Sequence, residues 1–382
     1  MNKRNILDHT KMYRLPYSKN DNPNGWIEVT TYCNMKCPGC YKGIDRGDIP
    51  LVNEPLEKIK ADILELKRIR NCAIITISGG EALMHPEIED IVRFVKSHNM
   101  ESFIHTNGLL INETNALKLR DAGLTGFIVR IDVNNRPQFE SEIQLHKLRN
   151  DIANLIDKLG GLQLGFTTVV TSNNLSQIPD VVKWFQANNN KTDYLVLILK
   201  REFLFEENQV LDDGDEVTIE ELAKTLKESL PKMIFSSYLG NQDQNIGFKW
   251  LHTAWIASNG KVLGYADQRM VELATIMGHF KNGNYSYVSN NGRNYISFLQ
   301  MAIGSLFLKS MRHIFLQFIK NVFVNPKDLF RKSNHQVINI VNPPGNSPET
   351  MGICDACPDA ILYKGVLQPS CVLESLKHLK KV

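Results

Sequence analysis

From residue 25 to about residue 200, short apolar runs alternate with longer segments whose apolar positions recur at helical spacing. The runs Trp26–Thr31, Ala73–Ser78, Glu101–His105, Gly126–Asp132, Leu162–Thr171 and Tyr194–Lys200 predict strands. Glu54–Arg70, Pro86–His98, Glu113–Asp121, Phe139–Leu159 and Ile178–Gln186 predict the helices between them. Strand and helix in regular alternation predict a parallel α/β sheet. Beyond residue 200 the alternation stops. Leu211–Glu216 reads as an acidic turn, Thr218–Glu228 as a capped helix, and Trp255–Tyr265 as a hairpin turning at Asn259-Gly260. Tyr295–Val324 is rich in Ile, Leu, Phe and Met but interrupted by Lys309, Arg312, His313 and Lys320, so its uncharged runs are too short to cross a bilayer. No Asp or Glu occurs from Leu273 to Lys327. The pattern predicts one apolar, basic helix over 294–330. Such a helix lies on an anionic membrane surface, covers the mouth of the α/β core, or lines an apolar substrate cavity.

The chain of 382 residues allows one large domain or a core with an extension, and its 43% hydrophobic and 22% charged residues are ordinary globular material. A formal net charge of +3 gives no argument for nucleic acid. The cysteines cluster at metal-type spacings without a secretory signal, which fits a reducing cytoplasm.

Cys33, Cys37 and Cys40 stand in Thr31-Tyr-Cys-Asn-Met-Lys-Cys-Pro-Gly-Cys-Tyr41. The C-x3-C-x2-C spacing supplies three thiolates from one tight loop, enough for a four-iron cluster with one iron left open for a small molecule. A closed zinc site wants four ligands, and zinc with a distant fourth ligand stays open at this point. Further on, the apolar run ending at Ser78 leads into Gly79-Gly80-Glu81, where paired glycines let a backbone approach a neighbour closely. In the fourth strand Arg130, Asp132 and Asn134 fall on one face by the two-residue period. A charged stripe facing inward implies a wet or ligand-filled interior, unless Arg130 and Asp132 satisfy each other.

With its triplet after the first strand and Gly-Gly-Glu one β/α unit later, the chain resembles the radical S-adenosylmethionine (SAM) superfamily. The resemblance implies a partial (β/α)6 TIM-like barrel, here with a C-terminal α+β extension. It implies a catalytic [4Fe-4S] cluster on Cys33, Cys37 and Cys40, and SAM chelated by the open iron and gripped by Gly79, Gly80 and Glu81. Reductive cleavage of SAM would then give a 5′-deoxyadenosyl radical that abstracts hydrogen from an unactivated C–H bond, with a flavodoxin- or ferredoxin-type protein as electron donor. Arg130 is placed for the SAM carboxylate, Asp132 for ribose hydroxyls, and Asn107, in His105-Thr-Asn-Gly108, where further SAM contacts lie. The family's aromatic residue before the third cysteine is Gly39 here, and Tyr41 takes its place against adenine.

Near the C-terminus Cys354-Asp-Ala-Cys357 and Cys371 resemble a reduced SPASM or twitch extension, which implies an auxiliary iron–sulfur cluster; zinc and free thiols stay open there. The expected organisation is a lead-in over 1–24, the barrel over 25–200, an accessory region with the hairpin over 201–293, the apolar helix over 294–330 and the auxiliary-cluster segment over 331–382. A hydrophobic or lipid-like substrate is the leading expectation. Its rivals are maturation of a ribosomal peptide precursor and a non-enzymatic iron–sulfur or zinc scaffold.

Overall fold

The computed structural model describes residues 6–202, 216–240, 248–286, 295–330, 333–344 and 356–379. A short strand β1 (Tyr13–Arg14) precedes the expected alternation, which runs β2 (Asn24–Glu28), α1 (Leu56–Arg70), β3 (Ile74–Ser78), α2 (Ile88–Ser97), β4 (Glu101–Thr106), α3 (Glu113–Ala122), β5 (Gly126–Arg130), α4 (His146–Leu159), β6 (Gln163–Val170), α5 (Ile178–Ala187) and β7 (Tyr194–Leu199). These six strands, β2 to β7, pair parallel in chain order. The two-residue period sorts each strand between two environments. In β3, Ile75 and Ile77 pack into the main core with Ile63 of α1 and Val92 of α2, while Ile74, Thr76 and Ser78 face a cavity. Helix α4 starts seven residues later than the apolar period predicts, because the preceding turns are held by hydrogen bonds to Asp132 and Glu142.

Thr218 caps α6 (Ile219–Ser229) through a capping box with Glu221, as its sequence indicates. Then come β8 (Ser237–Leu239), β9 (Trp250–Ser258), β10 (Lys261–Tyr265), α7 (Gln268–Asn282), β11 (Tyr295–Ile296), α8 (Phe298–Phe307), α9 (Lys309–Val324), β12 (Ser333–Val341), β13 (Ala360–Tyr363), β14 (Val366–Pro369) and α10 (Ser370–His378). The hairpin β9–β10 turns at Asn259 and Gly260, both with positive φ (52° and 71°), the type I′ signature. All these strands join the same sheet, in the order β1-β8-β9-β12-β7-β6-β5-β4-β3-β2-β13-β14, with β10 paired to β9 and β11 to β12 off this path. Strand β12 lies parallel to β7 and antiparallel to β9, and β13 lies parallel to β2. The sheet is therefore mixed and open, a largely parallel partial barrel widened at both edges.

The stretch 294–330 is corrected from one helix to two. The chain is extended at Leu308 (φ −118°, ψ 124°), and α8 and α9 fold back on each other so that Phe298 rings meet Phe315 and Phe318. Gly304 makes the reversal possible, since a Cβ there would lie 2.8 Å from Met311 Cγ. One face of α9 then packs Met311, Ile314 and Phe318 with Ile256 of β9 and Leu263 of β10.

Behind the C-terminal ends of β5 and β6, a fully buried Arg149 sits on the apolar face of α4 with Ile152, Ala153 and Ile156. It donates to the buried Glu142 carboxylate, to the Glu142 carbonyl (2.8 Å) and to the Ile131 carbonyl (2.8 Å). Glu142 in turn accepts from the Val133 N–H (3.1 Å) and from Asn174 (3.0 Å). One buried pair thus fixes the loops after two strands. We predict that Arg149→Met destabilises the protein by ~3–5 kcal/mol, because it leaves Glu142 charged and unpaired. Urea denaturation of both proteins measures the difference.

Candidate functional site

A cavity of about 1040 Å³ lies on the inner face of the sheet. Trp26, Thr76, His105, Arg130, Thr167 and Tyr194, one from each of β2 to β7, line it, and His335 of β12 and His252 of β9 continue the wall. Pro38, Gly39 and Tyr41 of the cysteine loop close one side, and Cys357, Asp359 and Cys371 another. Its volume is at the top of the ~300–1,000 Å³ usual for ligand pockets, which leaves room for a cofactor and a substrate together.

The cysteine loop is held at its root by Gly79-Gly80-Glu81. The Gly80 N–H donates to the Thr30 carbonyl (2.7 Å) and the Glu81 N–H to the Tyr32 carbonyl (2.8 Å). A Cβ at Gly79 would lie 2.4 Å from the Thr30 oxygen, and one at Gly80 2.3 Å from the Tyr32 oxygen. Both glycines are thus required by protein backbone, a use the sequence does not distinguish from ligand approach. The buried Glu81 carboxylate accepts from the N–H groups of Leu83 (3.1 Å) and Asn107 (2.7 Å); burial raises its pKa, and these hydrogen bonds oppose the rise. Asn107 reaches the loop itself, donating to Asn34 Oδ1 (2.6 Å). Arg136, which sequence reading missed, donates to the Asn107 carbonyl (2.7 Å) and contacts Met35 Sδ (2.9 Å). The loop closes through Gly39 N–H to Asp45 Oδ2 (2.9 Å) and Gly43 N–H to the Cys40 carbonyl (2.7 Å).

Cys33, Cys37 and Cys40 are free and half-buried. Burial raises the Cys33 and Cys37 thiols, the neighbouring Cys40 adds to the rise in both, and Arg130 opposes it at Cys37. Among the described residues no three His, Cys, Asp or Glu side chains converge on a single ion. Three thiols in one loop, with Arg130 beside Cys37, suit a ligand that deprotonates them on binding.

The other expected site residues divide into two groups. Arg130 and Tyr41 line the cavity; the Tyr41 hydroxyl donates to Glu28 Oε1 (3.1 Å), and burial raises it further from ionisation. Asp132 is fully buried and occupied by protein, accepting from Arg130 Nε (3.0 Å) and from the Asn135 (2.9 Å) and Val169 (3.2 Å) N–H groups. It orients Arg130. Lys200 also lines the cavity, with its stem 4.0 Å from where a Gly39 Cβ would lie.

Cys354 lies outside the described residues, whereas Cys357 and Cys371 line the cavity. Their segment is clamped to β2 and α1. Asn22 donates to the Ala356 carbonyl (2.9 Å), Asn24 to that of Pro358 (3.1 Å), and Arg70 to that of Cys357 (2.7 Å). Buried Lys42, two residues past Cys40, pairs with Glu28 (2.5 Å) and with Glu374 of α10 (2.5 Å). Burial opposes its charge, but the two carboxylates outweigh that and hold the ammonium charged. The two cysteine groups are therefore tied to each other through protein. Arg70 and Arg149 each carried one signal in the sequence: a charge standing on an apolar helix stripe.

The charged groups of the cavity wall are mostly cationic; the acid among them is Asp359, whose carboxyl burial pushes up to about 7. Arg130, Lys200, Arg201 and Lys249 line it, and burial holds His105, His252 and His335 down at about 4, so they are neutral at pH 7. Trp26 Nε1, Thr167 Oγ1, Ser236 Oγ and His252 Nε2 are buried polar atoms of this wall that find no hydrogen-bond partner among the described residues. They are positioned to meet a ligand.

Residues 27–185 match the Radical SAM superfamily. Over 119 residues the chain is 34% identical to a protein named Fe-coproporphyrin III synthase from Methanosarcina barkeri, covering 31% of this chain and 29% of that one. Over 230 residues it is 26% identical to a probable GTP 3',8-cyclase from Methanocaldococcus jannaschii, covering 58% of this chain and 71% of the other. The chain thus spans under a third of the first relative. Among solved structures, native anSMEcpe with bound AdoMet aligns over 70% of this chain and 69% of its own, at 18% identity and a TM-score of 0.42.

Two outcomes follow. Gly80→Ala should separate the cysteine loop from its root and lower iron incorporation on anaerobic reconstitution severalfold, with the circular dichroism of the fold retained; iron analysis checks this. The three histidines bind fewer protons folded than unfolded between their native value of about 4 and the ordinary ~6.5. Their contribution to stability is intact above pH ~6.5 and is lost as pH falls towards 4, so the urea midpoint should drop across that window, and less steeply in His335→Asn.

Proposed function

Because residues 27–185 match the Radical SAM superfamily, we propose that this chain is a radical SAM enzyme that removes a hydrogen atom from an unactivated C–H bond of a hydrophobic, lipid-like substrate. The observation that carries the substrate reading is the cavity wall. Trp26, Phe103, Tyr194 and Trp250 give it a broad aromatic surface, and Met270 and Val271 of α7 extend it. Cations at Lys200 and Lys249 and the unpartnered Ser236 hydroxyl suit a polar or anionic end of the same molecule.

Cys33, Cys37 and Cys40 would hold the catalytic [4Fe-4S] cluster. Loaded with that cluster, with SAM, and with an electron from a flavodoxin- or ferredoxin-type donor, the site would supply reductive cleavage of SAM to methionine and a 5′-deoxyadenosyl radical. The chain's own residues orient and shield. Arg130, aimed by Asp132, presents a guanidinium edge to a carboxylate. Tyr41 and Trp26 offer flat surfaces within the cavity, and the aliphatic wall excludes water from a reactive intermediate. Cys354, Cys357 and Cys371 would hold an auxiliary cluster in the reducing cytoplasm, two of them on the wall of the same cavity.

Anaerobically reconstituted protein should contain about eight irons per chain, falling to about four in Cys357→Ala/Cys371→Ala. Incubated with SAM, reductant and perdeuterated lipid extract, it should form 5′-deoxyadenosine carrying deuterium, read by mass spectrometry. Deuterium transfer only from labelled peptides or nucleotides would overturn the lipid-like reading. Absence of any SAM cleavage by iron-replete protein would overturn the enzyme.

A further inference from the structure

Helix α7 has no fully buried residue. Met270, Val271, Ala274 and Thr275 line the cavity, while Leu273, Ile276, Met277 and Phe280 are exposed, Phe280 at 91%. Helix α8 exposes Leu299, Ile303, Leu306 and Phe307, and α9 exposes Leu316, Phe323 and Val324. Three consecutive helices thus present large apolar side chains outward, far beyond the scattered singles of an ordinary surface.

Along this stretch the sequence carries charge of one sign. From Leu273 to Lys327 there are six Lys or Arg residues (Lys281, Arg293, Lys309, Arg312, Lys320 and Lys327) and no Asp or Glu. Of the flanking acids, Glu272 is half-buried, and Asp328 is buried and accepts from Asn325 (3.1 Å). On α9 and just beyond it, exposed Lys309, Arg312, Leu316, Lys320, Phe323 and Lys327 recur at three- and four-residue intervals, opposite the face that packs Met311, Ile314 and Phe318 on the hairpin. Cations and apolar groups therefore share one outward stripe.

We propose that α7, α8 and α9 form a docking surface for an anionic membrane, with the helices lying in the headgroup layer. Among the described residues no helix is long and apolar enough to cross a membrane, so the contact is with one leaflet. A surface whose exposed charges on α8 and α9 are all cationic complements anionic headgroups, whereas a second copy of the chain would set cations against cations. The inference rests on the lipid-like substrate reading only in its purpose: α7 would stand between the bilayer and the cavity, giving a membrane-borne substrate a short entry path.

The test is co-sedimentation of the full chain with vesicles of phosphatidylcholine alone or mixed with phosphatidylglycerol. The wild type should pellet with the mixed vesicles and be released by high salt. Lys309→Glu/Arg312→Glu/Lys320→Glu should lower vesicle affinity at least roughly tenfold, since each cation near an anionic surface contributes separately. Phe307→Ser/Phe323→Ser should weaken binding while leaving its salt dependence. Unchanged iron content and circular dichroism would show that these variants fold. Wild type left in the supernatant, or equal binding to neutral vesicles, would overturn the proposal. So would a concentration-dependent dimer abolished by Phe307→Ser/Phe323→Ser without vesicle binding, which would make the occupant a second copy. Vesicle binding without deuterium transfer would retain the docking surface and discard the lipid-like substrate, and the reverse result would do the opposite.

Discussion

Between Gly79-Gly80 and Thr30–Tyr32 two loop backbones approach to a separation that no side chain permits. Two N–H groups of one loop are satisfied by two carbonyls of the other, so the contact is both a steric fit and a pair of hydrogen bonds. Its position gives it consequence. The first loop leaves β3, the second leaves β2 and runs directly into Cys33, so the neighbouring strand fixes where the first thiol begins. Glu81 then passes the constraint on to the loop after β4 through the Asn107 N–H, and Asn107 returns it to the cysteine loop at Asn34. Three strand ends are thereby locked to the eight-residue thiol-bearing segment Cys33–Cys40.

Further from the cysteines, the same locking is done by buried charge. Arg149 with Glu142, Arg70 with the Cys357 carbonyl, and Lys42 with Glu28 and Glu374 all sit where desolvation is costly. Apolar packing at those points would be at least as stabilising but non-directional. A guanidinium that reaches two or three carbonyls sets loop positions to within hydrogen-bond tolerance, and loop positions are what a radical site requires of its protein. The segment bearing Cys357 follows the same logic: one β-pair joins it to β2, and three side-chain donors hold its carbonyls.

The six β/α units were legible because their information is local. A two-residue period, Asn259-Gly260 and the Thr218–Glu221 capping box each specify their geometry within a few residues. What was hidden depends on contacts between distant segments. Nothing in Ser333–Val341 says that it will pair with both β7 and β9, and nothing in Ala360–Tyr363 points to β2. The break at Leu308 was masked for a related reason. Residues 298–324 are helical in pattern throughout, and the reversal arises because Gly304 lets Met311 pack against it, a tertiary gain over a continuous helix. At the site, some roles were not separable in the sequence. Gly-Gly signals close approach without saying to what, and Asp132 proved to be engaged by Arg130, Asn135 and Val169 in the protein.

Helix α7 is where the fold and the chemistry meet least securely, and the reason is energetic. A helix of this length draws most of its stability from an apolar face packed on a core, and α7 has none that is fully buried. What holds it locally are its ends: Asp267 accepts from the Met270 N–H (2.9 Å), and Gly283 closes the C-terminus with a φ of 72°. At that end His279 also reaches Asp21 (2.7 Å), and Asn71 holds the Gly283 carbonyl (2.8 Å). Between these anchors, Met270, Val271 and Ala274 border the cavity, and Leu273, Met277 and Phe280 face outward. An apolar molecule in the cavity would bury the first set, and a bilayer would bury the second. Each burial would add the packing that α7 lacks, so occupancy on one side favours the helical form that the other side also binds. That is a thermodynamic coupling through a shared, weakly packed element, and it needs no displacement of the barrel to operate.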